Sequence, residues 1–95
     1  MFKLWGLLKS DEKILQNSVV ESEAGGMQAF HDCLSELCRL FDIEKPVVLR
    51  KHEMEFENFG RTVFRPSDFI ESVNFSRLEV ENITDDKSKS NRNIK

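Results

Sequence analysis

The residues able to ligate a metal or attack a substrate are few: His31, Cys33, Cys38 and His52, then the acidic row Glu53, Glu55 and Glu57. Zinc takes Cys and His, but from short loops or from i, i+4 pairs on a helix. The segment that holds His31, Cys33 and Cys38 reads as one helix. On it His31 and Cys33 point roughly 160° apart, and His31 and Cys38 lie about two turns, roughly 10 Å, from each other. That spacing does not close on one ion; only Cys38 could meet His52 from another element. A Cys–His nucleophile fares no better. A mid-helix thiol lacks the N-terminal helix dipole that lowers a thiol pKa, and no Gly-rich turn beside either cysteine could hold an oxyanion. The three glutamates would line one face of a strand, where a hard cation is conceivable, but they diverge on a helix. A solvated face is their expected state, and the same holds for Glu71, Glu79 and Glu81. Gly25-Gly26 precedes a helix, where anions can bind, yet it matches no phosphate loop, and Glu21 and Glu23 would repel phosphate. It reads as a hinge. The expectation is therefore no catalytic residue, no metal and no cofactor. A metal- or thiol-dependent enzyme built on His31, Cys38, His52 or the glutamates is the alternative.

Surfaces are what remain. Trp5 sits on a strand of which both faces are apolar, so it needs a cover. A packed core is its expected fate. Should the segment 51–59 fail to cover that face, Trp5, Leu7 and Val63 become an apolar patch of the kind that marks a partner site. An open sheet edge offers a second route, strand addition. The function expected on this ground is a small protein-binding or adaptor module, with a protein partner or a second copy as its target.

These residues need elements to position them. Residues 2–9 read as a strand with Phe2, Leu4, Gly6 and Leu8 alternating against Lys3, Trp5, Leu7 and Lys9; both registers are mostly apolar, which places it centrally. Ser10-Asp11-Glu12-Lys13 is a hairpin-length connection. Residues 14–21 read as a second strand nearer the edge, bulged in its polar middle. From 27 to 42, Met27, Phe30, Leu34, Leu37, Cys38 and Phe41 follow the i, i+3, i+4, i+7 spacing of an amphipathic helix. Pro46 forces Lys45 to be extended, and residues 47–49 read as a short strand. Residues 51–59 carry both a strand pattern (His52, Met54, Phe56) and a helix pattern (His52, Phe56, Phe59, then Gly60). Propensity favours the helix. Residues 61–65 look extended up to Pro66. A helical turn follows, capped by Ser67 or Asp68, and residues 77–83 form a last, half-buried strand. The fold class is α+β: a mainly antiparallel sheet with an amphipathic helix on one face, in the order ββαβ(α)ββ, the last strand pairing with the first. Residues 1–84 form the single domain. Residues 85–95 are polar and basic and are expected to be a disordered tail.

Charge narrows the partners. Residues 1–86 hold all 17 acids and ten of the 14 Lys and Arg, so that stretch carries −7, and the segment after it carries +4. A body so acidic repels a phosphate backbone, which argues against nucleic acid. The run Met1 to Leu8 is too short for a signal peptide, and Lys9-Ser10-Asp11-Glu12 interrupts it. Nothing approaches the ~20 apolar residues of a membrane span. Cys33 and Cys38, roughly 7.5 Å apart along a helix and roughly 140° around it, cannot form a disulfide. They are expected to stay reduced, which fits a cytoplasmic location.

Three stretches carry a resemblance: Lys3-Leu4-Trp5-Gly6, then Phe41 through Leu49 (FDIEKPVVL), then Asp68 through Phe75 (DFIESVNF) followed by Leu78-Glu79-Val80. With these the chain resembles small uncharacterised proteins of Firmicutes, clostridia above all, over residues 1–84. It departs from them in its basic tail and in the Phe-rich segment 54–59. The resemblance implies a bacterial protein of a family without an established activity, and it carries over no site residue.

Overall fold

The computed structural model describes residues 1–84; the expected basic tail lies outside them. Four strands form one antiparallel sheet: β1 (Phe2–Ser10), β2 (Lys13–Ser22), β3 (Arg61–Phe64) and β4 (Arg77–Asn82). Their order across the sheet is β2-β1-β4-β3. The central place of β1 and its pairing with β4 follow the sequence reading, with Trp5 opposite Val19 on one side and opposite Glu81 on the other. The β1–β2 connection is tighter than the four residues expected. Only Asp11 and Glu12 are left in the turn, and Asp11 takes a left-handed φ of 56°. The bulge in β2 falls at Leu15 rather than in the polar middle: Leu8 pairs with Gln16 and Lys9 with Ile14.

Two helices join the sheet, α1 (Gly26–Phe41) and α2 (Arg50–Phe59). The amphipathic spacing of α1 delivers Phe30, Cys33, Leu34, Leu37, Cys38 and Phe41 to the core. The helix ends in a paired-carbonyl cap. Asp42 is left-handed, its N–H donates to the Arg39 carbonyl, and the Ile43 N–H donates to the Cys38 carbonyl. This geometry satisfies the carbonyls that a helix end leaves open. Gly6 sets how closely α1 approaches β1: a Cβ there would lie 2.7 Å from Cδ1 of Leu37.

The ambiguous segment 51–59 is helical, as propensity favoured. Its position is the correction. It does not cover the second face of the sheet. Phe56 stacks on Phe30 of α1, with centroids 4.4 Å apart, and meets Phe2 at 6.0 Å. His52 packs on Phe64 at 4.4 Å, and His31 of α1 bonds Glu53 of α2 at 3.0 Å. Phe64 and Phe2 lie on the α1 side of the sheet, so both helices share one face.

Residues 47–49 are extended but form no strand. Their backbone donors are taken singly instead of by a ladder. The Val47 N–H donates to the Asp68 carbonyl at 2.7 Å, and the Leu49 N–H donates to His52 Nδ1 at 2.9 Å. Place in the sheet beside β4 goes to β3, and the three-residue run after Pro46 bridges the two helices. The turn after Pro66 shrinks to one 3-10 turn, Pro66–Asp68, where the Asp68 carboxylate accepts the Arg65 N–H. Phe69 and Phe75 then close the end of the core, edge to face at 5.2 Å.

Candidate functional site

With both helices on one side, the sheet has an inner face and an outer face. Antiparallel partners share a face, so the register assigns every side chain. The inner face carries Leu4, Gly6, Leu8, Val20, Leu78, Val80, Thr62 and Phe64. The outer face carries two central rows. One runs Val19, Trp5, Glu81, Arg61; the next runs Asn17, Leu7, Glu79, Val63. Among the described residues no element packs over these rows. The covered core expected for Trp5 therefore does not form: its indole is half-buried among its strand neighbours.

The three residues singled out as a partner surface do fall on this one face, in two parts. Trp5 lies toward β2, beside the exposed Val19. Leu7, only 8% exposed, and Val63 line a depression of about 300 Å³ whose rim is Arg61, Glu79 and Glu81. Glu79 stands between them and takes two partners, Lys9 Nζ at 3.3 Å and Arg77 Nε at 2.6 Å. Burial alone would raise its pKa, but the hydrogen bonds and charges of Arg77 and Lys9 outweigh that and hold the carboxyl below the usual range. The face is thus mixed: Trp5 and Val19 form one apolar part, Val63 with the buried Leu7 another, and Glu79 with its paired cations stands between the latter two. Val19 and this triad escaped the sequence reading, because only strand register puts them beside Trp5 and Leu7.

The residues weighed for chemistry are dispersed. Cys33 and Cys38 are free thiols in the core. Burial pushes each up to about 11, in Cys33 with help from Asp32, Glu21 and Glu36, in Cys38 against a small opposing pull from Lys45. A thiol so raised is a poor nucleophile at neutral pH. The three glutamates leave α2 in different directions, Glu53 to His31 and Glu55 to the Thr62 hydroxyl, which donates to it at 2.6 Å; Glu57 borders a hollow with Phe2 and Met27. Among the described residues, no three His, Cys, Asp or Glu side chains are placed to hold a metal ion.

His52 is the one buried ionisable side chain of α2, 1% exposed. Its Nδ1 accepts the Leu49 N–H, so the ring serves the start of the helix as the reaching-back half of a capping box. A backbone N–H can only donate, so Nδ1 carries no proton there and Nε2 does. Nε2 lies 3.3 Å from Asp68 Oδ2, close enough for attraction but off the line of a hydrogen bond. His52 thereby ties α2 to the 3-10 turn and has a structural task.

No helix among the described residues is long and apolar enough to cross a membrane. No family model, curated protein or solved structure matches this chain.

Proposed function

We propose that this chain is a small protein-binding module that works through its sheet, with the outer face around Trp5 and Leu7 as the contact surface. The observation that carries this reading is the one-sided placement of the helices. Both spend their apolar stripes on the inner face, and the only tryptophan of the chain is left half-buried on the other. Tryptophan is among the residues that most often anchor interfaces, because it combines a large apolar area with low conformational freedom to lose. The paired charges of Lys9, Glu79 and Arg77 in the neighbouring row add the polar contacts an interface carries beside such an anchor. Two free, buried thiols are what a reducing cytoplasm would preserve, and we place the protein there.

A concentration series by light scattering, joined to iodide quenching of Trp5 fluorescence, tests this. Self-association or addition of cell extract should shield the indole. Trp5→Lys, with its circular dichroism unchanged, should lose whatever proteins the wild-type chain retains. A monomer at every concentration, with Trp5 equally quenched in extract and the same retained proteins for both forms, would sink the reading.

A further inference from the structure

The sheet has two edges, β2 and β3, and they are built differently. Beside β3 runs a groove of about 390 Å³. One wall is a single stripe of α2 at i, i+4 and i+8: Lys51, Glu55 and Phe59. The other is the edge of β3, followed by Arg65, whose backbone N–H and carbonyl are both taken by Asp68. No side chain or loop among the described residues hydrogen-bonds the backbone of residues 61–64 from the open side. The two walls match in length. Four strand residues span about 13 Å, and ten helical residues span about 15 Å.

We propose that this groove takes an extended, acidic peptide segment of another protein, added to the sheet as a fifth strand against β3. An edge strand flanked by a helix is the arrangement strand addition needs: backbone bonds from the strand for affinity, alternating side-chain sites for selection. The alternation is readable here. Arg61, Val63 and Arg65 share the outer side of the edge, while Thr62 turns inward to Glu55. An added strand would set every second side chain beside Arg61, Val63 and Arg65, and the others against the α2 stripe. There Phe59, 72% exposed, offers an apolar surface without a cover.

Charge selects the occupant. Residues 1–84 carry 15 acids against ten Lys and Arg, yet Lys51, Arg61 and Arg65 gather on this groove and none makes a salt bridge among the described residues. Two carboxylates, Glu55 and Asp68, line it as well, so the lining holds three cations against two anions, a small positive excess in a body that is otherwise acidic. Glu55 accepts from Thr62, and Asp68, its side chain 9% exposed, accepts the Arg65 N–H beside His52. What the groove presents is a strand edge with a small excess of positive charge, complementary to Asp or Glu at alternate positions with an apolar residue between them. The edge at β2 carries one cation, Lys13 at its start, and Glu21 and Glu23 lie at its other end.

This inference deepens the protein-binding reading; the groove shares Arg61 and Val63 with the outer face but not Trp5 or Leu7, and the Trp5 and Lys51 variants tell the failure of one from that of the other. The test is selection of displayed random octapeptides on the full chain. The best peptide is then synthesised and measured by fluorescence anisotropy and by amide NMR shifts. The expected winners alternate acidic with apolar residues and contain no proline. Their affinity should fall at least tenfold with Arg61→Glu plus Arg65→Glu and again with Lys51→Glu, weaken with salt, and ignore Trp5→Lys. The shifts should concentrate on residues 51–65. Three results would overturn the proposal: no enriched sequence, winners that are basic or proline-rich, or binding that the charge reversals leave intact. A dimer split by Arg61→Glu would overturn it too, by naming a second copy as the occupant. Loss of peptide binding by Trp5→Lys alone would return the site to the outer face.

Discussion

The two faces of one sheet have had opposite fates. On the inner face a glycine admits α1 to within side-chain contact of β1, and Phe30, Phe56 and Phe2 interlock across two helices and a strand. On the outer face the residues of the same strand, Trp5 and Leu7, meet, among the described residues, their neighbours within the sheet. The difference does not come from composition, since both registers of β1 are largely apolar. It comes from the number of helices and where the chain can place them. A 16-residue and a 10-residue helix suffice to roof one side of four strands, and among the described residues no further element covers the other.

That comparison is open to measurement. The largest effect should come from the inner face: Phe30→Ala removes a fully buried ring at the joint of α1 and α2 and should cost about 3–5 kcal/mol. Urea titration followed by circular dichroism measures it; a cost near zero would mean that the two helices do not share a core. The thiols give an intermediate, pH-dependent effect. Folding holds Cys33 and Cys38 protonated up to about 11, whereas an unfolded thiol ionises near 8.5. Their contribution is whole below that lower value and is lost as pH rises through the folded one. The urea midpoint should therefore fall between about pH 8.5 and pH 11, and Cys33→Ala with Cys38→Ala should flatten that decline. In the same protein, both thiols should resist alkylation at pH 8 until denaturant is added. The smallest effect belongs to the outer face. Trp5→Ser should cost about 2 kcal/mol in the monomer, below Phe30→Ala, since part of the indole stays in solvent and gives up no burial on substitution. A loss as large as that of Phe30→Ala would show that the outer face is a core after all.

Much of the fold was legible because it is written locally. The period of α1, the alternation of β1 and β4, and the stops at Gly60 and Pro66 need only a window of residues to be read. The segment 51–59 was ambiguous since His52 and Phe56 fit both periods; propensity resolved its type correctly. Residues 47–49 misled because three apolar residues after Pro46 look like a strand when taken alone. Their donors are used one at a time by Asp68 and His52, residues that no local window connects to them. Of the candidate surface, Trp5, Leu7 and Val63 were named from alternation. Val19, the Glu79 triad and the groove at β3 were not, for they exist only once strands pair and α2 is docked.

By itself the sequence determined the kinds of element, their order, the central place of β1 and the dispersal of its sulfur and imidazole groups along one helix and the next. The tertiary structure alone decided which face α2 covers, and hence which apolar register became core and which stayed open. Periodicity tells a helix that it has an apolar stripe; it does not tell it where to spend that stripe. That choice goes with the ring of Phe56 meeting Phe30 and Phe2, a contact between residues far apart in the chain that no local window contains.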